Sequence, residues 1–310
     1  RVYETFWQGN MKSFIIRTIK EGEDQVGTLY ASLNRVIPQV STSSKASASS
    51  TTSADVTAAT DSDLLTSTAY EVKGRYMTNN ILEIATSPKN DKIFELVNEK
   101  DRGVGYVGSF DEKTRKKVFD SPMTQLNIDW PEENTLTMST KGSAFGPGYV
   151  YAFDLKKGTF NKILSGIRGL TAKMSHDASM LLYTQTKTDG TLGTYVKKMK
   201  DGTIQELVVK TLADKCAWGT VQKQYLYCAV PNRFTDGSYP DDWYTGQASF
   251  TDQIWRINSV TGEVLLLANP VGLASSLIDV TNPTLDPKES TLYFINKKDL
   301  SLWSLDLTQN

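Results

Sequence analysis

Histidine is all but missing from this chain: His176 is the only one in 310 residues. One imidazole leaves no room for a histidine-rich metal centre and little for a Ser-His-Asp or Cys-His system. The Gly-x-Ser-x-Gly elbow of serine hydrolases is also absent. Charge of one sign is not in surplus either. The net charge is −1 and the pI near 6.0, so no basic field is present to hold nucleic acid or an anionic membrane surface. Long apolar runs are lacking. The longest, such as Val264–Ala268, are strand-sized, far below the roughly 18 residues that span a bilayer. No cofactor or metal motif is found. The chain opens at Arg1 without an initiator Met, so it is expected to be a piece of a longer polypeptide, with any signal peptide or anchor upstream.

Cysteine is scarce as well, with only Cys216 and Cys228 in "KCAWGTVQKQYLYCAV". They stand symmetrically about position 222, inside the polar stretch Gly219 to Gln224. If that stretch is a hairpin turn, the two residues face each other on paired strands, where cross-strand Cβ atoms approach disulfide geometry. The alternative is two buried thiols acting as small apolar residues. A disulfide would point to an exported protein.

What the chain does have is a repeat. Pro88, Pro131, His176 and Gly219 stand in similar surroundings, a polar turn followed by an aromatic and β-branched strand, at intervals of 43 to 45 residues. Gln8 and Pro287 extend the series, each one period plus an insertion away. A second landmark falls later in each unit. Tyr151-x-x-Asp154 is followed by Gly158, Tyr195-x-x-Lys198 by Gly202, and Trp255-x-x-Asn258 by Gly262, while Trp303-x-x-Asp306 closes the chain. Four strands per period of about 40–45 residues is the pattern of a propeller blade. The expected fold is all-β, one β-propeller of four-stranded blades over 1–310. Its six visible units run 1–79, 80–122, 123–166, 167–210, 211–270 and 271–310. The last ends after its third strand, so a fourth, or a whole seventh blade, is expected from residues upstream of Arg1.

The stretches "SPKNDKIFELVN", "DPKESTLYFINKKDLSLWSLDL" and "SHDASMLLYTQTKTDG" resemble the WD-like propeller repeat of the Tol translocation protein and many envelope proteins. That repeat typically reads Ser-Pro-Asp-Gly before the strand, and here Lys89-Asn90 replace Asp-Gly. The combination "KCAW…LYCAVPN…YPDDWY…F…IWRI" is similar to uncharacterised propeller proteins of small-genome, uncultured bacteria. Both resemblances imply a fold; neither implies an activity.

Two insertions interrupt the repeat. Residues 38–68 are about half Ser and Thr, with Ala and no aromatic, a composition that cannot offset its ordering entropy. This segment is expected to be a flexible loop on the rim. The second insertion, Asn232 to Asp252, mixes Asp236, Asp241, Asp242 and Asp252 with Phe234, Tyr239, Trp243, Tyr244 and Phe250. Rings beside carboxylates suit a sugar face or a cationic group. The same residues equally suit a self-packed loop with Asp turn caps. The residues singled out for binding are Asp236, Asp241, Asp242, Trp243 and Tyr244, and Trp243→Ala is expected to weaken capture with little loss of folding. Asp241 and Asp242 make a poor acid–base pair, since neighbours on an extended segment point apart.

The expected function is a non-catalytic scaffold outside the cytoplasm or at the cell envelope, binding a protein or glycan partner through a propeller face. Nucleic acid and direct membrane insertion are excluded as roles. The alternative is a glycan-acting enzyme, or the propeller part of a larger hydrolase. That alternative requires acids converging on the inner channel, or a longer native chain.

Overall fold

The structure, a computed structural model, describes residues 2–19, 26–36 and 69–308. The Ser/Thr/Ala-rich segment 38–68 lies outside the described residues. Six antiparallel sheets follow one another along the chain, each built from consecutive strands. Five have four strands and the last has three. The fold is thus the six-bladed, all-β propeller that the repeat implies.

The chain divides into two compact units, 1–79 with 110–112 and 80–109 with 113–310. The first holds one sheet, of strands Val2–Trp7, Ser13–Ile19, Val26–Val36 and Ala69–Tyr76. Trp7 and Phe14 pack with ring centroids 4.7 Å apart. Buried Arg17 pairs with Glu4 at 2.7 Å.

The second unit holds sheets two to six, at 81–121, 126–167, 172–206, 216–268 and 280–306. Its apolar cores lie between successive sheets: Phe94 and Phe119 against Leu136 and Met138, and Val150 against Leu181. Leu182 and Val196 likewise meet Leu226, and Ile254 meets Val280 and Phe294. The period-two alternation of each strand therefore buries both faces of the inner strands, as face-to-face sheet packing requires. Within this unit the first strands of neighbouring sheets run beside each other: Ile81–Thr86 by Leu126–Glu132, and Cys216–Trp218 by Val280–Leu285. They form its inner edge.

Both sequence landmarks contain turns with a shared geometry, although Pro131 lies inside the strand Leu126–Glu132 and the Gly219 N–H donates to the Tyr225 carbonyl, six residues on. In the first, the N–H of Gln8, Ser87, Ser175 and Asp286 donates to the carbonyl five residues on. An oxygen of Ser87, Ser175 or Asp286 takes a backbone N–H in return. The fourth position of each turn is left-handed and carries Met11, Asn90, Ala178 and Glu289, with φ between 50° and 55°. The Tol-type repeat has glycine at this position, and the reason is steric, since Cβ crowds the following carbonyl there. Met11 is 61% exposed, so its side chain contributes little packing in return. Met11→Gly is expected to stabilise this turn by about 1 kcal/mol, read as slower hydrogen exchange in Ser13–Ile19; unchanged exchange would count against it. In the second landmark Gly158, Gly202 and Gly262 are left-handed, each donating to the carbonyl four residues back, on Asp154, Lys198 and Asn258.

Candidate functional site

The cysteines pair as their spacing suggests. Cys216 and Cys228 are register partners on the strands Cys216–Trp218 and Tyr225–Pro231, with Cα atoms 4.1 Å apart and the disulfide formed. Such a short separation belongs to the non-hydrogen-bonded position of an antiparallel ladder. Both residues are fully buried.

The insertion that follows, between Tyr225–Pro231 and Asp252–Asn258, is anchored by a buried ionic hub. Lys215 has no solvent exposure. Its ammonium lies 2.6 Å from Asp279, 2.7 Å from Asp252 and 2.8 Å from the Val280 carbonyl. A buried ammonium costs several kcal/mol unless charge and hydrogen bonds replace its water, and three oxygens do so here. Asp279 also accepts from Trp243 Nε1–H at 2.9 Å, from the Phe250 N–H at 3.0 Å and from Ser249 Oγ at 3.2 Å. The Lys215 ammonium stands 4.8 Å from the Trp243 ring centroid and 5.2 Å from that of Phe250. Burial raises the Asp252 carboxyl to about 6 against the opposing Lys215 charge. Burial pushes Asp279 the same way, but there the Lys215 charge and the hydrogen bonds prevail, and it stays below the ordinary carboxylate range.

This hub corrects part of the sequence reading. Trp243 is only 2% exposed and packs with Leu192, Leu212, Tyr239 and Phe250. Its indole is therefore core, unavailable to stack on a ligand. The segment Asp241–Thr245 is a helical turn, not extended. Asp241 and Asp242 still form no dyad, because each holds a different backbone N–H at 2.7 Å, those of Ala144 and Ser238. Asp236 is exposed on the loop.

The loop also crosses towards sheets three and four. Asp241 reaches Ala144, and the Tyr239 carbonyl accepts from Thr186 Oγ1 at 3.1 Å. The crossing sets Tyr244, 42% exposed, over the inner edge, where its hydroxyl donates to Asp214 at 2.7 Å. Asp214 belongs to the short turn Ala213–Lys215 that enters the first strand of sheet five. Neighbouring first strands contribute Asp129 and Lys173, the latter donating to the Cys216 carbonyl at 2.9 Å.

Asp129 and Asp214 are half-buried, and both carboxyls are raised. Burial is the larger cause at Asp129, reinforced by the charge of Asp214 and opposed by Lys173. Burial also leads at Asp214, opposed by the Tyr244 hydrogen bond and by Lys173. The Tyr244 hydroxyl is raised by burial and then by the Asp214 charge. The arrangement therefore disfavours its own negative charge beside an open aromatic ring, a setting that a cation relieves. Among the described residues, no three His, Cys, Asp or Glu side chains gather closely enough to hold a metal ion.

No protein-family model matches this chain, and no curated protein matches it in sequence. Solved structures match the fold. A TolB from Agrobacterium tumefaciens superposes with a TM-score of 0.51 at 15% identity, over 76% of this chain and 81% of that one. A nidogen/laminin complex matches with a TM-score of 0.50 at 10% identity, over 76% and 81%. An acylaminoacyl peptidase matches with a TM-score of 0.58 at 12% identity, over 99% of this chain. This chain spans 44% of that peptidase and 60% of a TolB from Acinetobacter baumannii. At these identities the likeness is one of fold, shared with TolB-type propellers and with propellers of enzymes alike.

Proposed function

We propose that this chain is a non-catalytic binding propeller, working outside the cytoplasm, that holds a protein partner by a cationic side chain placed between Asp129, Asp214 and Tyr244. One observation carries the reading: two carboxyls raised by burial, Asp129 also by the charge of Asp214, stand at the inner edge where the exposed Tyr244 bonds to Asp214. A Lys or Arg head adds to the single countercharge that Lys173 gives the two acids and meets the ring face. The disulfide suits an oxidising compartment. The nidogen/laminin neighbour lends an example of this fold in a complex between proteins.

Because burial raises both carboxyls, each holds its proton to a higher pH than an ordinary carboxylate does and must lose it to pair with a cation. Capture is therefore expected to strengthen as the pH rises above the ordinary carboxylate range, with protons released on binding. The test is cross-linking mass spectrometry on the full-length protein in its source cells, beside Asp129→Asn and Asp214→Asn. A partner whose cross-links fall at least ~10-fold in either variant supports the reading; cross-links unchanged in both overturn it.

A second reading has its own observation, since raised acids beside a tyrosine also suit proton transfer. In that case the chain is the propeller part of a hydrolase or glycan-acting enzyme. Turnover of a peptide or glycan panel by the full-length protein, abolished by Asp214→Asn, would establish it in place of the first.

A further inference from the structure

A groove of about 550 Å³ opens between sheets four and five, away from the inner edge. Val208 and Lys210, after the last strand of sheet four, form one side. The other side comes from Val230 near the end of the strand Tyr225–Pro231, Arg233 at the start of the long loop and Trp255 on the third strand of sheet five, with Phe234 beside them. Its volume falls within the range of ordinary ligand sites. The walls are rigid. Val230 and Trp255 pack on the buried cluster that contains the disulfide, and Phe234 is wedged edge-on against Tyr239 and Phe250, at 5.1 and 5.0 Å.

The chemistry of the lining is one-sided. It holds two cations, Lys210 and Arg233, and no acid. Both are exposed, and neither makes an ion pair or hydrogen bond among the described residues. The groove therefore offers two positive charges free to meet a ligand. Behind them Trp255 Nε1–H is hidden from solvent without an acceptor, so the indole meets the groove with its ring and not with its N–H.

We propose that this groove is a docking site for an acidic peptide segment: its carboxylates meet Lys210 and Arg233, and an apolar side chain between them enters the Val208–Val230–Phe234 walls. Val208, Val209 and Val230 with Pro231 supply aliphatic contacts that favour a peptide side chain, while the rings of Phe234 and Trp255 make an acidic glycan the alternative that the test separates. The site is distinct from the inner edge in place and opposite to it in charge, so it stands whether or not the cation-binding reading does.

The test uses the full-length protein and three probes: an acetylated, amidated peptide of alternating glutamate and leucine, its glutamine counterpart, and polygalacturonate. Binding is read by calorimetry at low and moderate salt. The expected result is affinity for the glutamate peptide at least ~10-fold above that for the glutamine peptide, falling with salt. Lys210→Glu and Arg233→Glu are each expected to cut it a further ~10-fold, while Asp214→Asn leaves it unchanged. Both cations are exposed, and a thermal melt checks that the variants fold. Equal affinity for the two peptides, or binding indifferent to Lys210→Glu and Arg233→Glu, overturns the proposal. Binding of polygalacturonate in preference to the glutamate peptide also overturns it and makes the groove a glycan site.

Discussion

Asp279→Ala lowers the free energy of unfolding by about 3–5 kcal/mol, the usual cost of stripping one partner from a buried ion pair. The carboxylate serves four donors at once: Lys215, the Trp243 indole, the Phe250 amide and the Ser249 hydroxyl. Its removal leaves Lys215 against Asp252 alone, and burial raises the Asp252 carboxyl to about 6, which makes it the weaker counterion. The indole and amide donors lose their acceptor where no water replaces it. Lys215→Met is expected to be severe for the converse reason, leaving two carboxylates buried together. The double variant is then expected to cost far less than the two single effects added, because each removes the charge that the other leaves stranded. Denaturant unfolding of the four proteins checks this. Additive costs, or a loss under about 1 kcal/mol for Asp279→Ala, would mean that the hub is solvated and not a core feature.

That hub marks where the sequence stops being legible. The propeller could be read because its repeat is chemical as well as numerical. A Ser or Asp oxygen at the first position of the turn and a glycine after Asp154, Lys198 or Asn258 each perform a backbone task visible in one dimension. The disulfide was legible for the same reason, since pairing across a hairpin depends only on symmetry about a turn. The loop 232–252 was not. Its composition could not separate rings that meet a ligand from rings that meet each other, and Trp243 proved to belong to the second kind. The partners deciding this, Lys215 and Asp279, lie outside the loop, and Trp243 reaches Asp279 across 36 residues of sequence.

A weaker signal was nonetheless present. Asp129 in "LNIDW" and Asp279 in "SLIDV" are single charges, and Asp214-Lys215 in "ADKCAW" a charged pair, set in apolar stretches in or just before a blade's first strand. A charge there is either paired or functional. Lys215 and Asp279 became the hub, and Asp129 became half of the inner-edge acid pair.

Replacing Cys216 and Cys228 together by alanine is expected to cost about 3 kcal/mol, the loop-closure entropy of a bridge across 12 residues. The loss of two buried sulfurs adds to this, because Cys216 and Cys228 sit with Val209, Leu226 and Ile257 in the core between sheets four and five. The effect should be concentrated there. Trp218 packs in the same cluster, and its Nε1–H donates to the Lys173 carbonyl at 3.0 Å, so loosening the hairpin reaches the inner edge through one hydrogen bond. Reductant alone should leave the folded protein intact, since neither sulfur is exposed, and should lower stability only once denaturant opens the blade. A denaturation midpoint identical with and without reductant would show that the two cysteines act only as small apolar residues. A drop matching the alanine variant would show that the covalent bond carries the stability. The bond would then also be the reason for the chain to mature where thiols are oxidised.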